Sequence, residues 1–432
     1  MADISIPSPL LDPAGKGLGV FPAGKASDQV AGLGWNLLAE DVSLPVAVLY
    51  ESRVQHNLEW MRQFLTAYQV KLAPHGKTTM SPRLFHMQLE HGAWGITLAT
   101  APQTKAAYLH GVRRVLMANQ LVGKANMGII AELLRDPDFS FCCLVDSVAG
   151  ARQLGEFFAA QGEVLPVLIE LGPQGGRTGV RDDPALEAVL NELARWPQSL
   201  ALAGVEIYEG VLKEEDEIRA FLRRAVATLR ELAQAGRLRS NAPAILTGAG
   251  SAWYDVVAEE FAGVDIGQPL DVVLRPGCYL THDVGAYRSA AERIAQNNPV
   301  ARKMASSLQP ALQIWACVQS IPEAGRAIVA MGKRDAAFDA GMPVPDMHYR
   351  PGRDAGGKPG KAAPNWQITA MMDQHAFMQI APGDDLEVGD MISCEVCHPC
   401  LTFDKLRQVL LLDDRYGVTG GAHGIGESTV RA

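Results

Sequence analysis

The sequence predicts an α/β protein in which a (β/α)8 barrel is followed by a mainly β domain. Three observations predict this fold class: eight short apolar runs between residues 70 and 277, an amphipathic stretch in each gap between them, and a change of pattern near residue 280. Alternating strands and helices imply parallel strand pairing, and eight such units match a closed barrel. A doubly wound open sheet is the alternative.

The barrel strands are predicted from short apolar runs that lead into polar or glycine-containing segments. In chain order they are VKLAPH (70–75), WGITLAT (94–100), RVLMANQ (114–120), FCCLVD (141–146), VLPVLIEL (164–171), LALAGVEIY (200–208), APAILTG (242–248) and PLDVVLRPG (269–277). The spacing of apolar residues predicts helices in the gaps, near 81–91, 101–110, 123–135, 147–161, 183–195, 214–235 and 251–262.

Two further regions flank this repeat. The apolar run VAVLY (46–50) precedes a helical pattern, and we place it at the start of the barrel domain, which we expect over 46–282. Beyond that domain the strand candidates are short: RAIVAMG, WQITAMMD, MISCEVC and RQVLLLD. We therefore expect a mainly β domain over 283–432, joined by part of 1–45.

Composition limits the classes of function. The chain has 432 residues, of which 48% are hydrophobic and 20% charged, and this balance is typical of a globular protein with two domains. Its net charge of -9 argues against a nucleic-acid partner, which usually requires a basic face. The N-terminus lacks a secretory pattern, and no apolar stretch approaches the roughly 20 residues that span a bilayer. We expect a cytoplasmic protein with no membrane partner.

Residues at the carboxyl ends of barrel strands are the first candidates for chemistry, because active sites of β/α barrels lie at that face. Lys77 follows the first strand in Pro74-His75-Gly76-Lys77. A partly desolvated lysine there has a lowered pKa and attacks an aldehyde, although a loop lysine is usually only a solvated charge. Arg177 lies between glycines after the fifth strand. Tyr208 ends the sixth, where it could instead fill the barrel.

The loops after the seventh and eighth strands predict a phosphate site. Thr247-Gly248-Ala249-Gly250-Ser251 runs into a helix, and small residues at a helix N-terminus let backbone N–H groups approach an anion. Gly277 and Tyr279 follow the eighth strand. Barrels often bind phosphate with these two loops. A lysine and a phosphate cradle at one mouth indicate a phosphorylated aldehyde cofactor, and pyridoxal 5'-phosphate (PLP) fits both.

A third motif predicts a metal site. Residues 393–400 contain two overlapping C-x-x-C spacings, but no second pair completes a structural zinc site. Pro399 favours an extended His398, and side chains two apart on a strand share a face, so His398 and Cys400 would point at one metal. Imidazole and thiolate suit zinc or another divalent metal. A buried cysteine-rich strand is the alternative, and we expect no role for Cys394 and Cys397.

The motifs PHGKTTM, GGRTGV, TGAGS, RPGCY and HPC occur in this order, and together they resemble the D-serine dehydratase and D-threonine aldolase family. Bacterial D-serine deaminase-like proteins are the most similar group. The resemblance runs from about residue 46 to about residue 412 and implies an alanine racemase-type PLP barrel. It also implies a homodimer, in which each active site is formed by one barrel and the partner's β domain.

The resemblance implies a role for each matching residue. Lys77 would be the Schiff-base lysine and the base that removes the α-proton. Tyr208 would face the cofactor ring, Arg177 would lie near the ring oxygen or the pyridine nitrogen, and His398 and Cys400 would bind the catalytic metal. The contacts to the cofactor phosphate would come from Thr247, Gly248, Gly250, Ser251, Gly277 and Tyr279.

Three departures from the family pattern leave the substrate open. Relatives usually have arginine where this chain has Ala73, and often glutamate where it has Gln103. The aldolases carry Ser-Glu-Glu-His where this chain has Met-Asp-Gln-His at 372–375.

The resemblance favours dehydration of D-serine to pyruvate and ammonia. Dehydratases of the family tend to have His-x-Cys at the metal and aldolases His-x-Asp, so His398-Pro399-Cys400 favours dehydration. D-threonine or D-threo-3-hydroxyaspartate could replace D-serine, and a D-threonine aldolase is the alternative. A non-enzymatic PLP carrier would lack a second domain, and a metal-dependent hydrolase would leave Lys77 unexplained.

Overall fold

The structure, a computed structural model, describes residues 8–354 and 356–425. Eight parallel strands form one sheet, in which the first strand pairs with the eighth and the others follow in sequence order. A bridge between His75 and Thr97 closes the ring between the first and second strands, which confirms the barrel. The strands are Lys71–Leu72, Ile96–Leu98, Arg114–Gln120, Ser140–Val145, Leu165–Leu171, Leu200–Ile207, Ala244–Gly248 and Leu270–Leu274.

Helices alternate with these strands, as the sequence predicts. Glu215–Gln234 shows why: its buried residues Ile218, Leu222, Ala225 and Leu229 recur every three or four positions and pack on the barrel. Several helices begin at a polar cap, such as Asp182, whose side chain accepts from the Ala185 amide. The helices are Glu51–Tyr68, Pro82–Glu90, Ala101–Leu109, Lys124–Leu134, Val148–Gln161, Asp183–Leu193, Glu215–Gln234, Tyr254–Phe261, Ala286–Asn297 and Pro399–Phe403.

Side chains fill the barrel interior below the mouth. Small and branched residues from most of the strands, among them Ala73, Leu116, Leu168 and Ile245, form a buried cluster inside the ring. At Gly204 the backbone has a φ of 154°, and a Cβ there would lie 1.9 Å from the Ile245 carbonyl oxygen. Only glycine fits this close approach of two strands. The barrel is therefore a packed core, and its open face is the one at the carboxyl ends.

The second domain is a largely antiparallel sheet. Its main path runs through Gly360–Lys361, Val344–Tyr349, Met391–Glu395, Leu312–Glu323, Val46–Tyr50, Gln408–Leu412 and Val418–His423. A branch of three strands leaves Leu312–Glu323 and comprises Arg326–Val329, Ala376–Gln379 and Gln367–Met371. No helix among the described residues combines the length and apolar character needed to cross a bilayer.

The strand Val46–Tyr50 lies in this second sheet and not in the barrel domain, where the sequence pattern places it. It pairs antiparallel with Leu312–Glu323 and parallel with Gln408–Leu412. All five of its residues are buried. A fully buried strand has the same apolar pattern in either sheet, so local sequence does not distinguish them.

The two domains meet at the barrel mouth. The short helix Pro399–Phe403 of the second domain packs on the 3-10 turn Gly76–Thr78, which follows the first barrel strand. The Cys400 Sγ lies 3.5 Å from the Thr78 Oγ1 across this contact. The metal motif and the lysine motif, more than 300 positions apart along the chain, are therefore adjacent.

Candidate active site

Lys77 occupies a tightly packed turn at the barrel mouth. Its side chain is exposed, whereas its neighbours Gly76 and Thr78 are buried. A Cβ on Gly76 would lie 2.7 Å from Ile96 and 2.8 Å from Phe85, so the turn backbone rests directly on the core. The turn therefore presents one exposed cation from a backbone that packing holds in place.

Two glycine-containing loops lie beside this turn. A Cβ on Gly277 would lie 2.6 Å from the His75 carbonyl oxygen and 2.7 Å from the Thr78 Oγ1. The next amide, of Cys278, donates to the Ser251 Oγ at 3.2 Å. The loops after the seventh and eighth strands are thus joined to each other and to the lysine turn, as a phosphate site beside Lys77 requires.

Arg177 and Tyr208 lie next to each other, and Tyr208 contacts the glycine loop after the seventh strand. The Arg177 guanidinium sits 5.1 Å from the centre of the Tyr208 ring, a cation–π contact. A Cβ on Gly250 would lie 3.1 Å from the same ring. Burial, and then the nearby Glu209, raise the pKa of Tyr208, which keeps its hydroxyl protonated at neutral pH.

Glu209 is a residue of the mouth that the sequence did not lead us to assign. Its carboxylate accepts hydrogen bonds from the Ala249 amide at 3.1 Å and the Gly250 amide at 2.6 Å, and it is fully buried. Burial raises the pKa of this carboxyl, and the two amides oppose that shift. The Gly250 amide, expected at the phosphate, therefore already binds the Glu209 side chain. The only signal in the sequence was its place next to Tyr208.

The other residues expected at the phosphate differ in what they offer. The Thr247 hydroxyl donates to the Val273 carbonyl at 2.8 Å, inside the barrel wall. Tyr279 is buried, and its hydroxyl contacts Gln88. Within the described chain, the amides of Ser251 and Gly277 donate to no protein acceptor. Ser251 and Gly277 are thus the positions with free backbone donors for an anion.

Buried polar groups lie beneath the mouth. Arg275 forms an ion pair with Glu206 and also donates to the Ile207 carbonyl at 2.8 Å. Burial raises the pKa of Glu206 to about 7, against the opposing effect of Arg275. Among the described residues, the Arg275 Nε, the Glu206 Oε2 and the His75 Nδ1 are buried without a hydrogen-bond partner. Such unpartnered groups are costly in a packed interior, and a polar ligand would satisfy them.

His75 is neutral in this setting. Burial, together with the nearby cations Lys77, Arg275 and Arg177, lowers the pKa of His75 well below its usual value. A neutral imidazole can donate or accept at Nδ1, so it suits contact with a polar ring.

The predicted metal ligands lie at the start of the short helix that covers the lysine turn. His398 caps this helix, and its Nδ1 lies 2.7 Å from the Asp339 Oδ2. A hydrogen bond from Cys278, followed by contacts with Thr78 and nearby cations, lowers the pKa of the Cys400 thiol below its usual range. This shift favours the thiolate, which is the form that binds metals.

The local structure around this pair differs from the extended strand that we predicted. The strand Met391–Glu395 ends before His398, and Pro399 is the first residue of the helix Pro399–Phe403. Proline fits that position because its missing N–H and fixed φ suit a helix start. The two side chains are nonetheless neighbours, in hydrogen-bonding contact with each other. Cys397 points elsewhere, towards the Met342 carbonyl at 3.3 Å.

The metal donors form a partial set. Among the described residues, no three His, Cys, Asp or Glu side chains already converge on one point. One imidazole and one thiolate suit zinc and leave positions open for water or substrate. The mouth thus combines an exposed lysine, free amides for an anion, unpartnered polar groups and a soft donor pair. This arrangement suits a phosphorylated cofactor and a divalent metal.

The chain is similar to known protein families over most of its length. Residues 50–269 match the alanine racemase N-terminal domain family, and residues 311–412 match the putative serine dehydratase domain family. A D-threonine aldolase of Arthrobacter sp is 25% identical over 369 residues, which cover 84% of this chain and 87% of that protein. A D-threo-3-hydroxyaspartate dehydratase of Delftia sp. (strain HT23) is 29% identical over 245 residues, which cover 56% and 61%.

The fold is also similar to that of solved structures. The crystal structure of D-threonine aldolase from Filomicrobium marinum aligns with a TM-score of 0.73 and 24% identity, covering 92% of this chain and 99% of that one. The arrangement of barrel and β domain is therefore shared over nearly the whole length of both chains.

Proposed function

Because the chain belongs to the D-serine dehydratase and D-threonine aldolase family of alanine racemase-type barrels, we propose that it dehydrates a D-3-hydroxy amino acid, with D-serine as the preferred substrate and pyruvate and ammonia as the products. The observation that carries this proposal is the placement of Cys400 against Thr78, the residue after Lys77. A thiolate metal ligand beside the reactive lysine is what loss of a β-hydroxyl needs.

The cofactors of this family are PLP and a divalent metal, and the residues present fit both. Lys77 would carry PLP, the amides of Ser251 and Gly277 would hold its phosphate, and Tyr208 and Arg177 would lie beside its ring. His398 and Cys400 would hold the metal. When bound, PLP acts as an electron sink for the substrate α-carbon, and the metal acts as a Lewis acid toward an oxygen.

Each side chain at the barrel mouth then has its own role in the reaction. The Lys77 Nζ accepts the α-proton of the substrate, because the turn places this amine at the barrel mouth beside the Gly277 loop. Arg177 provides a fixed positive charge over the Tyr208 ring. Glu209 holds the glycine loop in shape through the amides of Ala249 and Gly250. A cytoplasmic homodimer is part of the same proposal. The resemblance implies that the partner's β domain completes the site, whereas the metal motif beside Lys77 here comes from the β domain of the same chain.

The test is a product assay with the purified protein, PLP and zinc. We expect pyruvate from D-serine, and 2-oxobutanoate from D-threonine at a lower rate. Cys400→Ala should lose the keto acid, whereas Cys317→Ala, a half-buried cysteine in the strand Leu312–Glu323, should keep it. Keto acid formation unaffected by Cys400→Ala would contradict the assigned metal role.

A D-threonine aldolase is the second candidate, because the relative with the broader coverage has that activity. It would release glycine and an aldehyde from D-threonine, with no keto acid. If glycine is the sole amino-acid product, the function is aldol cleavage and not dehydration. Oxaloacetate from D-threo-3-hydroxyaspartate, with little pyruvate from D-serine, would keep dehydration and change the substrate.

Asp339→Ala should weaken zinc binding by about 10–100-fold, because the carboxylate that orients a metal-binding histidine tunes its affinity. Asp339 fixes His398 through Nδ1 and leaves Nε2 for the metal. The measurement is a competition titration against a chromophoric chelator. Asp404→Ala, at the other end of the same helix, is the control that should leave affinity unchanged. Equal zinc affinity in the wild type and in Asp339→Ala would show that Asp339 does not orient His398 for metal binding.

A further inference from the structure

We infer that Cys278 is a further protein ligand of the metal, so that the site is His398, Cys400 and Cys278. This inference rests on the proposed function for the presence of a metal at Cys400. It adds a thiolate from the barrel domain to the pair from the β domain.

The distance between the two thiols is the first argument. The Cys278 Sγ lies 3.9 Å from the Cys400 Sγ. Two thiolates bound at about 2.3 Å to a tetrahedral zinc ion lie about 3.8 Å apart. The two sulfurs therefore already have the separation that a shared zinc ion imposes, without any movement of the backbone.

The second argument is that Cys278 is held in this position. Its carbonyl accepts from the His282 amide at 2.7 Å, and its amide donates to the Ser251 Oγ at 3.2 Å. The side chain is buried, and Thr78 lies 3.9 Å from its sulfur. A buried thiol on a backbone fixed at both ends meets the requirement that ligands be preorganised by their surroundings.

The third argument concerns the remaining ligand. Asp339 holds the Nδ1 side of His398, and Cys400 lies between the imidazole and the Cys278 thiol. In the part of the chain described, the three groups do not yet converge on one point. The His398 side chain is 31% exposed, whereas Cys278 is almost completely buried. Binding would therefore draw the histidine to a fixed pair of sulfurs.

A set of two thiolates and one imidazole has consequences for the metal. It leaves one position of a tetrahedral zinc ion open for the substrate oxygen. Two soft sulfur donors favour zinc over the harder magnesium and manganese ions. Cys278 also follows Gly277, one of the free amides, so the metal and the cofactor phosphate would share a single loop.

The test is X-ray absorption spectroscopy of the zinc-loaded enzyme, kept reduced and saturated with PLP. Two sulfurs at about 2.3 Å and one nitrogen at about 2.0–2.1 Å are expected in the wild type. Cys278→Ser should lose one sulfur and bind zinc at least about tenfold more weakly, since ligand loss exceeds the loss of an outer partner. Cys397→Ser, whose thiol faces Met342, should keep both sulfurs.

One sulfur in the wild-type spectrum would overturn the inference, whatever the Cys278 variant does. If the wild type has one sulfur ligand and still forms the keto acid, the proposed function is unaffected. Two sulfurs without keto acid from any D-3-hydroxy amino acid would support the ligand set and refute the proposed function. The wild-type spectrum thus distinguishes one sulfur ligand from two even if Cys278→Ser fails to fold.

Discussion

Replacing Lys77 with alanine should lower the rate of keto acid formation by about 10³-fold or more, because the variant loses both the amine that carries the cofactor and the base at the α-carbon. Lys77→Arg should be nearly as inactive, since a guanidinium stays protonated and cannot serve as a base. The structure places this lysine on a turn that rests on Phe85 and Ile96, so neither change should disturb the fold.

Two measurements check the Lys77 result: the rate of keto acid formation, and the PLP that remains bound after desalting. The matched control is Lys71→Ala in the first barrel strand, just before the lysine turn; the Lys71 ammonium lies 2.6 Å from Asp271. It should keep both activity and cofactor. A Lys77→Ala protein that turns over D-serine within tenfold of the wild-type rate would show that the base lies elsewhere.

Arg275→Met should lower the free energy of unfolding by about 3–5 kcal/mol at pH 8, the usual cost of breaking a buried ion pair on one side. Arg275 and Glu206 are both almost completely buried, and the guanidinium also binds the Ile207 carbonyl. Without Arg275, the Glu206 carboxylate would lie in the barrel without a compensating charge.

The loss of unfolding free energy in Arg275→Met should depend on pH, and its direction follows from the pKa of Glu206. Burial already raises the pKa of Glu206 from 4.5 to about 7, and removing Arg275 raises it further. A carboxyl with a higher pKa in the folded state stabilises the fold only while protonated, and that stability disappears as pH rises through the folded pKa. Arg275→Met should therefore be more damaging at pH 8 than at pH 5.

Urea denaturation at both pH values measures this effect. Adding Glu206→Gln to Arg275→Met should recover part of the loss at pH 8, because it removes the unpaired charge. Arg223→Met, which breaks an exposed pair with Glu260, is the control that should change stability little at either pH. A pH-independent loss in Arg275→Met would mean that packing, not charge, dominates at this site.

The barrel was predictable because its signal is local. Each strand is a short apolar run and each helix repeats its apolar residues every three or four positions, so the number and order of units can be read along the chain. Strand pairing is not local, which is why the pattern of Val46–Tyr50 points to the wrong domain. The motifs also led us to expect Lys77, Arg177, Tyr208 and the glycine loops at the barrel mouth, where the structure has them, but they did not indicate which amides remain free.

The residues that sequence reasoning missed act through distant contacts. Glu209 meets the Ala249 and Gly250 amides only once two strands lie side by side. Cys278 lies within the motif RPGCY, yet the metal-ligand role that we infer for its thiol depends on the contact with Cys400 in the other domain. Asp339 lies in an irregular segment with no pattern that links it to His398. Such pairings depend on tertiary structure and leave no periodic trace in the sequence.

The position of the strand Val46–Tyr50 has a consequence for how the chain folds during synthesis. Val48 pairs with Leu410 on one side, and its strand pairs with Leu312–Glu323 on the other. The barrel between these segments is complete when the ribosome has made its eighth strand, whereas the N-terminal strand must wait for both partners. Contacts so distant along the chain form slowly. The barrel should therefore fold first, and the β domain should assemble around it from both ends of the chain.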